Sequence, residues 1–183
     1  VVGRLNTQVE FDDLFERYEK KVFNLIYRLV GDNEEAADLT SEAFVQAYRH
    51  LERFRGEAQA YTWLYRIAVN LCKNYFRSKG VRDRTHAFSL DEAEKAEMAE
   101  LPNRQLSPAQ VLEARELQQV VHQCIDELPL EGREVVVLRD LHGLSYQEIG
   151  QVLEVSPELV KSRLFRARAL LRRKLTPYLL PEA

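Results

Sequence analysis

The sequence predicts an all-α protein: two small helical domains joined by a flexible linker. Three observations point there. Apolar residues recur at three- and four-residue spacing along most of the chain. Only seven Gly and six Pro interrupt 183 residues. The spacing lapses in one long stretch, from about Lys79 to Leu106, where Arg82, Asp83, Arg84, Pro102 and Asn103 fall. The length allows one domain or two small ones, and the lapse selects two, over residues 9–80 and 107–180, with 81–106 as linker.

In the first domain, Phe11, Leu14, Phe15, Tyr18, Val22, Leu25, Ile26 and Leu29 form one helical stripe, closed by Gly31. Asn33 is the expected cap of a second helix that buries Ala36, Leu39, Ala43, Phe44, Ala47 and Leu51 and ends near Phe54 and Gly56. A third runs from about Gln59 to Ser78, packing Trp63, Leu64, Ile67, Ala68, Leu71, Cys72 and Phe76, and Gly80 stops it. A helical turn is expected around Asp91–Glu100 within the linker. Ser107 and Pro108 then cap a long helix to Leu128, buried through Leu112, Leu117, Val120, Val121, Cys124 and Ile125, with Pro129 ending it. Arg133 to Leu141 is the next helix.

The segment Leu144–Leu175 carries the most chemistry. Ser145 and Glu148 have capping-box spacing, so a short helix starts at Tyr146 and buries Ile149 and Leu153. Ser156 followed by Pro157 restarts helix. Val160, Leu164, Ala167 and Leu171 share one face of it, while Lys161, Ser162, Phe165, Arg166 and Arg168 lie on another. From Ser156 to Leu175 seven Lys/Arg face one acid, Glu158. A short capped helix followed by a basic one is what major-groove recognition requires. A solvated face, a membrane-surface helix and a partner-binding helix are the competing explanations. A solvated face usually intersperses acids, and a membrane helix needs no capped helix before it.

Charge distribution supports nucleic acid where the total of −3 does not. Residues 9–58 carry a net of −5, 61–84 a net of +5, 86–132 a net of −7, and the last helix +6. Two basic surfaces thus sit on one tether, and the acidic parts must face something other than phosphate. On the third helix Tyr61, Asn70, Lys73, Asn74 and Arg77 are left to face outward, with Trp63 and Ile67 inward. Asn70 and Asn74 suit base edges; Lys73 and Arg77 suit phosphates.

Catalysis, cofactors and metals find no support. His50, His86, His122 and His142 are scattered, there is no glycine-rich phosphate loop, and Cys72 and Cys124 lack metal-ligand neighbours. The two cysteines are expected as buried small hydrophobes in a reducing compartment. No apolar run of membrane length and no signal-peptide pattern is found, so a cytoplasmic location is expected.

Asp38–Gly56, Ala60–Gly80 and Leu144–Leu175 resemble regions 2.2, 2.3–2.4 and 4 of the extracytoplasmic-function sigma factors of bacterial RNA polymerase, the YTWLYRIAVN…KNY string looking nearest to the sigma-E branch. The resemblance implies an alternative sigma factor without enzymatic activity. Its first domain binds the β′ clamp helices of core RNA polymerase and melts the minus-10 promoter element; its second docks on the β flap and reads the minus-35 element. It implies minus-35 contacts from Ser156, Glu158, Lys161, Ser162, Phe165, Arg166 and Arg168, and minus-10 contacts from Tyr61, Asn70, Lys73, Asn74 and Arg77. It implies polymerase contacts from Asp38, Ser41, Glu42, Phe44 and Gln46, and regulation by an anti-sigma factor in a stress response. Many members have Gln at Ser41 and Gly-Thr-Val at Glu158–Val160, so this chain departs from the pattern at both places. A helix-turn-helix regulator acting without polymerase and a protein-interaction adaptor remain as alternatives. The first leaves the basic Ala60–Gly80 helix unexplained.

Overall fold

The computed structural model describes residues 2–51, 60–79 and 108–179, with side chains over 11–51, 60–79 and 116–178. The expectations for Phe54, Gly56, Gly80, the linker and the side chain of Leu112 lie outside the described residues. In chain order the helices are α1 (Val2–Val30), α2 (Asn33–His50), α3 (Ala60–Ser78), α4 (Pro108–Asp126), α5 (Leu130–Val136), α6 (Tyr146–Leu153) and α7 (Pro157–Leu179). From α5 the chain runs on as a π-helix over Val137–Leu141.

Local chemistry sets the boundaries. Gly31 leaves α1 at φ +80°, the left-handed conformation that glycine adopts without steric cost. Asp32, not Asn33, caps α2: its carboxylate accepts the Glu35 amide at 2.9 Å from an extended backbone, and Asn33 is already inside the first turn. The helix expected from Arg133 starts earlier, at Leu130, because the Pro129 carbonyl already accepts the Gly132 and Arg133 amides at 2.8 and 2.9 Å.

Helices α1–α3 pack on one another as one bundle, and α5–α7 with the end of α4 form a second. The bundles meet along α3 against α6, with α1 against α5 and the π-helix, and their interiors form one continuous apolar cluster. The end of α1 is therefore enclosed: none of residues 22–30 is exposed. Leu25, Ile26 and Leu29 face its own bundle at the expected positions, and Tyr27 and Val30 are buried as well. Phe23, Tyr27 and Val30 recur at four- and three-residue spacing, a second stripe beside the first.

Several core expectations are corrected. Leu117 is 42% exposed, and Leu51, Val120 and Val121 are only half-buried; on α4 the first buried residue among those described is Cys124. Trp63 and Ile67 are half-buried at the margin of the core; the inner face of α3 is Leu64, Tyr65, Ala68, Val69, Leu71, Cys72 and Phe76. Cys72 and Cys124 are both buried free thiols, as expected.

Three charged side chains, Asp126, Arg133 and Glu134, are buried where the bundles meet. Arg133 donates from Nη1 to the Leu29 carbonyl at 2.8 Å, and from Nη2 to the carbonyls of Asp126 and, at 3.3 Å, Leu128. Burying a guanidinium is tolerable only with such partners. Its neighbour Glu134 is 2% exposed, facing Lys73 of α3 and Arg163 of α7, with Glu131 on its own helix. Burial pushes its carboxyl up to about 7, against the opposing pull of Lys73 and Arg163 and with a further push from Glu131. The acid form is favoured in the folded chain. Its contribution to stability is thus full below the ordinary carboxylate range and lost as pH rises to about 7. Glu134→Gln removes this titration. The melting temperature of the variant is expected to gain on the parent between about pH 5 and 7 and to hold level above that, a trend that melting curves in stepped buffers check.

Candidate nucleic-acid interface

The pair α6 and α7 is built as the sequence requires. The Ser145 hydroxyl accepts the Glu148 amide at 3.2 Å, and the Glu148 carboxylate accepts the Ser145 amide at 2.7 Å, a complete capping box. Glu154 ends α6 in the left-handed conformation at φ 59°, and its amide and that of Val155 both close on the Gly150 carbonyl. The turn is so tight that a Cβ on Gly150 would lie 2.8 Å from the Val155 carbonyl oxygen. Ser156 then caps α7, accepting the Leu159 amide at 3.2 Å. Val160, Leu164 and Ala167 seat α7 in the core.

The opposite face of α7 is open. Lys161, Ser162, Phe165 and Arg166 are exposed together, Phe165 by 78%, a degree of exposure that packing alone does not explain for a large ring. Arg166 folds loosely back on the Ser162 carbonyl and hydroxyl, both at 3.4 Å, so its guanidinium is free to extend. The Lys161 ammonium lies 5.8 Å from the Tyr146 ring centre, and Arg139 stacks on the same ring at 5.0 Å. Ser156 and Glu158 stand exposed at the start of the helix. Arg168 is exposed as well and forms a two-pronged ion pair with Asp140, which braces the π-helix against α7.

On α3 the expected residues divide. Asn70, Asn74 and Arg77 are exposed and lie on the side that also carries Trp63 and Ile67. Arg77 donates to the Asn74 amide oxygen at 3.4 Å. Tyr61 and Lys73, expected to face outward, are half-buried under the second bundle. The Tyr61 hydroxyl donates to the Glu148 carboxylate of the capping box, which holds that carboxyl below its ordinary range, with Ser145 assisting. Lys73 pairs with Glu134 at 3.8 Å. Around them, Tyr65 bonds His142 Nδ1 at 3.0 Å, and Arg66 donates to the Gln151 carbonyl at 2.9 Å. Burial lowers His142 to about 4, with Lys21 and Arg28 adding to the effect, so the ring is neutral at pH 7. Sequence reasoning missed Arg66; its place in the +5 segment was the available signal.

On α2, Asp38, Ser41 and Glu42 are exposed on one face, with Gln46 half-buried and donating to Glu42 at 3.1 Å. Phe44 is not on that surface. It is 3% exposed, its ring edge-on to Phe15 at 4.8 Å, so it belongs to the core and leaves the protein-facing set. Val45 and Tyr48 are the apolar residues that α2 does present.

Residues 14–82 match sigma-70 region 2, and residues 118–171 match sigma-70 region 4. The chain is 40% identical over 169 residues to the RNA polymerase sigma-H factor of Pseudomonas aeruginosa, covering 92% of this chain and 88% of that one. It is 39% identical over 170 residues to the extracytoplasmic-function sigma-E factor of Escherichia coli, covering 93% and 88%. The chain belongs to the extracytoplasmic-function sigma factors. It is an alternative sigma factor of transcription initiation. The fold agrees with that of the sigma factor RpoE solved with the anti-sigma factor NepR from Bartonella quintana: TM-score 0.69, 18% identity, 91% of this chain and 97% of that one. It also agrees with CnrH solved with the cytosolic domain of CnrY: TM-score 0.64, 24% identity, 92% and 88% covered. Among the described residues no helix is long and apolar enough to cross a membrane.

The tight turn between α6 and α7 leaves no room for a side chain at Gly150. Gly150→Ala must displace the Val155 carbonyl, at an expected cost of about 1–3 kcal/mol in urea unfolding, the range for forcing an extra group into a packed site.

Proposed function

We propose that the sigma factor divides promoter recognition between its two open basic faces. Residues 9–80 form the domain that joins core RNA polymerase and opens the minus-10 element; residues 107–180 form the domain that reads minus-35, and 81–106 link them. The observation that carries this is the pairing of α7's open face with the polar strip Asn70, Asn74 and Arg77 on α3. In the first, Lys161, Ser162, Phe165 and Arg166 enter the major groove, with Ser156 and Glu158 at the helix start. In the second, Asn70 and Asn74 meet base edges and Arg77 a phosphate, and Tyr61 and Lys73 join them only when the second bundle is displaced.

The acidic and apolar surface of α2, with Asp38, Ser41 and Glu42 beside Val45 and Tyr48, repels phosphate and suits the polymerase clamp helices. The second domain meets the β flap. An anti-sigma factor controls access, as the partners of the two solved sigma factors suggest. The protein acts in the cytoplasm and by binding, with no catalysis of its own.

Asn70 is mounted on a helix whose inner face is fixed by Leu64, Ala68 and Leu71, the rigidity a base pocket needs. Capturing one unstacked base offsets a cost of a few kcal/mol, so its loss tells most where the duplex must open. Asn70→Ala is therefore expected to impair run-off transcription from a paired promoter far more than polymerase assembly, and a template mismatched across minus-10 should recover part of the activity. Equal loss on both templates would refute the base-capture role. Arg166→Ala should cost about 1–3 kcal/mol of promoter affinity, the worth of one good base contact, as measured by titrating labelled promoter into holoenzyme.

A further inference from the structure

The basic helix α7 contains a single acid, Glu158, and its own bases do not neutralise it. Seven Lys/Arg lie between Ser156 and Leu175, and five of them are engaged elsewhere. Arg163 pairs with Glu131 at 3.0 Å, Arg168 with Asp140 and Lys174 with Glu127, while Lys161 lies over the Tyr146 ring and Arg166 folds on Ser162. Among the described residues no hydrogen bond or ion pair holds the exposed Glu158 carboxylate. We propose that Glu158 is a specificity-determining residue of the minus-35 reader and selects a cytosine by accepting its N4 amino group. The proposal rests on the assignment of α7's open face to minus-35 and deepens it.

Position comes first. Glu158 stands four residues before Ser162 and seven before Phe165, in line with the middle of the open face. The turn that carries it is firmly held. Ser156 caps it through the Leu159 amide at 3.2 Å, and the Ser156 carbonyl accepts the Val160 amide at 3.1 Å. Val160, fully buried, anchors it from behind, and the chain entering from α6 closes on the Gly150 carbonyl. A side chain on so fixed a mount can be aimed at one base edge.

Charge then narrows the ligand. A carboxylate on this face costs affinity for every sequence, because it brings like charge to the phosphates. Only a hydrogen-bond donor on a base edge offsets that cost. In the major groove guanine presents N7 and O6 and thymine presents O4, all acceptors that repel a carboxylate. Adenine sets a donor beside the acceptor N7, whereas cytosine presents the N4 donor with no acceptor next to it. A side chain that only accepts therefore matches cytosine and penalises the other three bases.

The Gly-Thr-Val pattern of many members has no acid where this chain has Glu158, so the preference belongs to this chain and is not carried over from the resemblance. A second role for the carboxylate, favourable interaction with the dipole at the start of α7, is indifferent to the DNA sequence. The two roles therefore separate in any measurement that compares bases at one position.

The test uses holoenzyme assembled from the full chain and core polymerase. Its templates are a barcoded library of a promoter mapped with the parent protein, randomised across the minus-35 element. Sequenced transcripts should show the parent favouring cytosine at one position of one strand by at least about fivefold, the worth of one good base contact. Glu158→Gln should move that position to adenine, whose N6 and N7 an amide meets as a pair, and leave the other positions unchanged. Glu158→Ala should flatten the same position and transcribe templates lacking the cytosine better than the parent does. Melting curves of both variants confirm that they fold. A cytosine preference that survives in Glu158→Gln, or a change that scales all templates alike, overturns the role. Transcription by the parent that is indifferent to the randomised element would instead overturn the assignment of α7 beneath it.

Discussion

The arrangement of this molecule depends on placing two charges, Arg133 and Glu134, where two apolar bundles meet. A guanidinium in such a place is acceptable only if carbonyl oxygens surround it, and three segments supply them: the end of α1, the end of α4 and the turn after it. The end of a helix is where such oxygens are available, because its last carbonyls lack partners within the helix. Arg133 thereby ties the second bundle's own turn and the first bundle's first helix to a single planar group. Glu134, one residue on, has no comparable shell, and its carboxyl is pushed to about 7. One member of the pair fixes the junction; the other leaves it poised.

Helix composition and the pair α6–α7 were legible because their determinants are local. The capping box at Ser145 and Glu148 and the Ser156–Pro157 restart are set by residues within four positions of one another, and the structure has both. The open face of α7 was legible for a similar reason: a basic stripe opposite Val160, Leu164 and Ala167 has one way to turn. Boundaries blurred where two adjacent residues offer the same chemistry, as at Asp32 and Asn33, both of which cap helices well.

What escaped the sequence depends on contacts between distant segments. Periodicity placed Tyr61 and Lys73 on the outer side of α3, which is correct for an isolated bundle; their burial comes from α5 and α6, more than fifty residues later in the chain. The ion pair of Arg168 was not legible either, because only the π-helix brings Asp140 within its reach. Phe44 had been placed in the core by its spacing and on the polymerase face by resemblance, and its ring contacts with Phe15 and Phe11 decide for the core. The clue to the packed bundles was nevertheless present. Phe23, Tyr27 and Val30 make a second apolar stripe on α1, which a free-standing three-helix domain does not need.

That stripe has a consequence during synthesis. The first bundle can assemble as soon as α3 has left the ribosome, but the cover for Tyr27 and Val30 arrives with α5 and the π-helix, about a hundred residues after α1. At translation rates of 5–20 residues per second, the nascent chain shows this apolar strip to the cell for roughly 5–20 s. Each newly made molecule thus passes through an interval in which its own later half is absent and the strip is open to other apolar surfaces, including that of a neighbouring nascent chain.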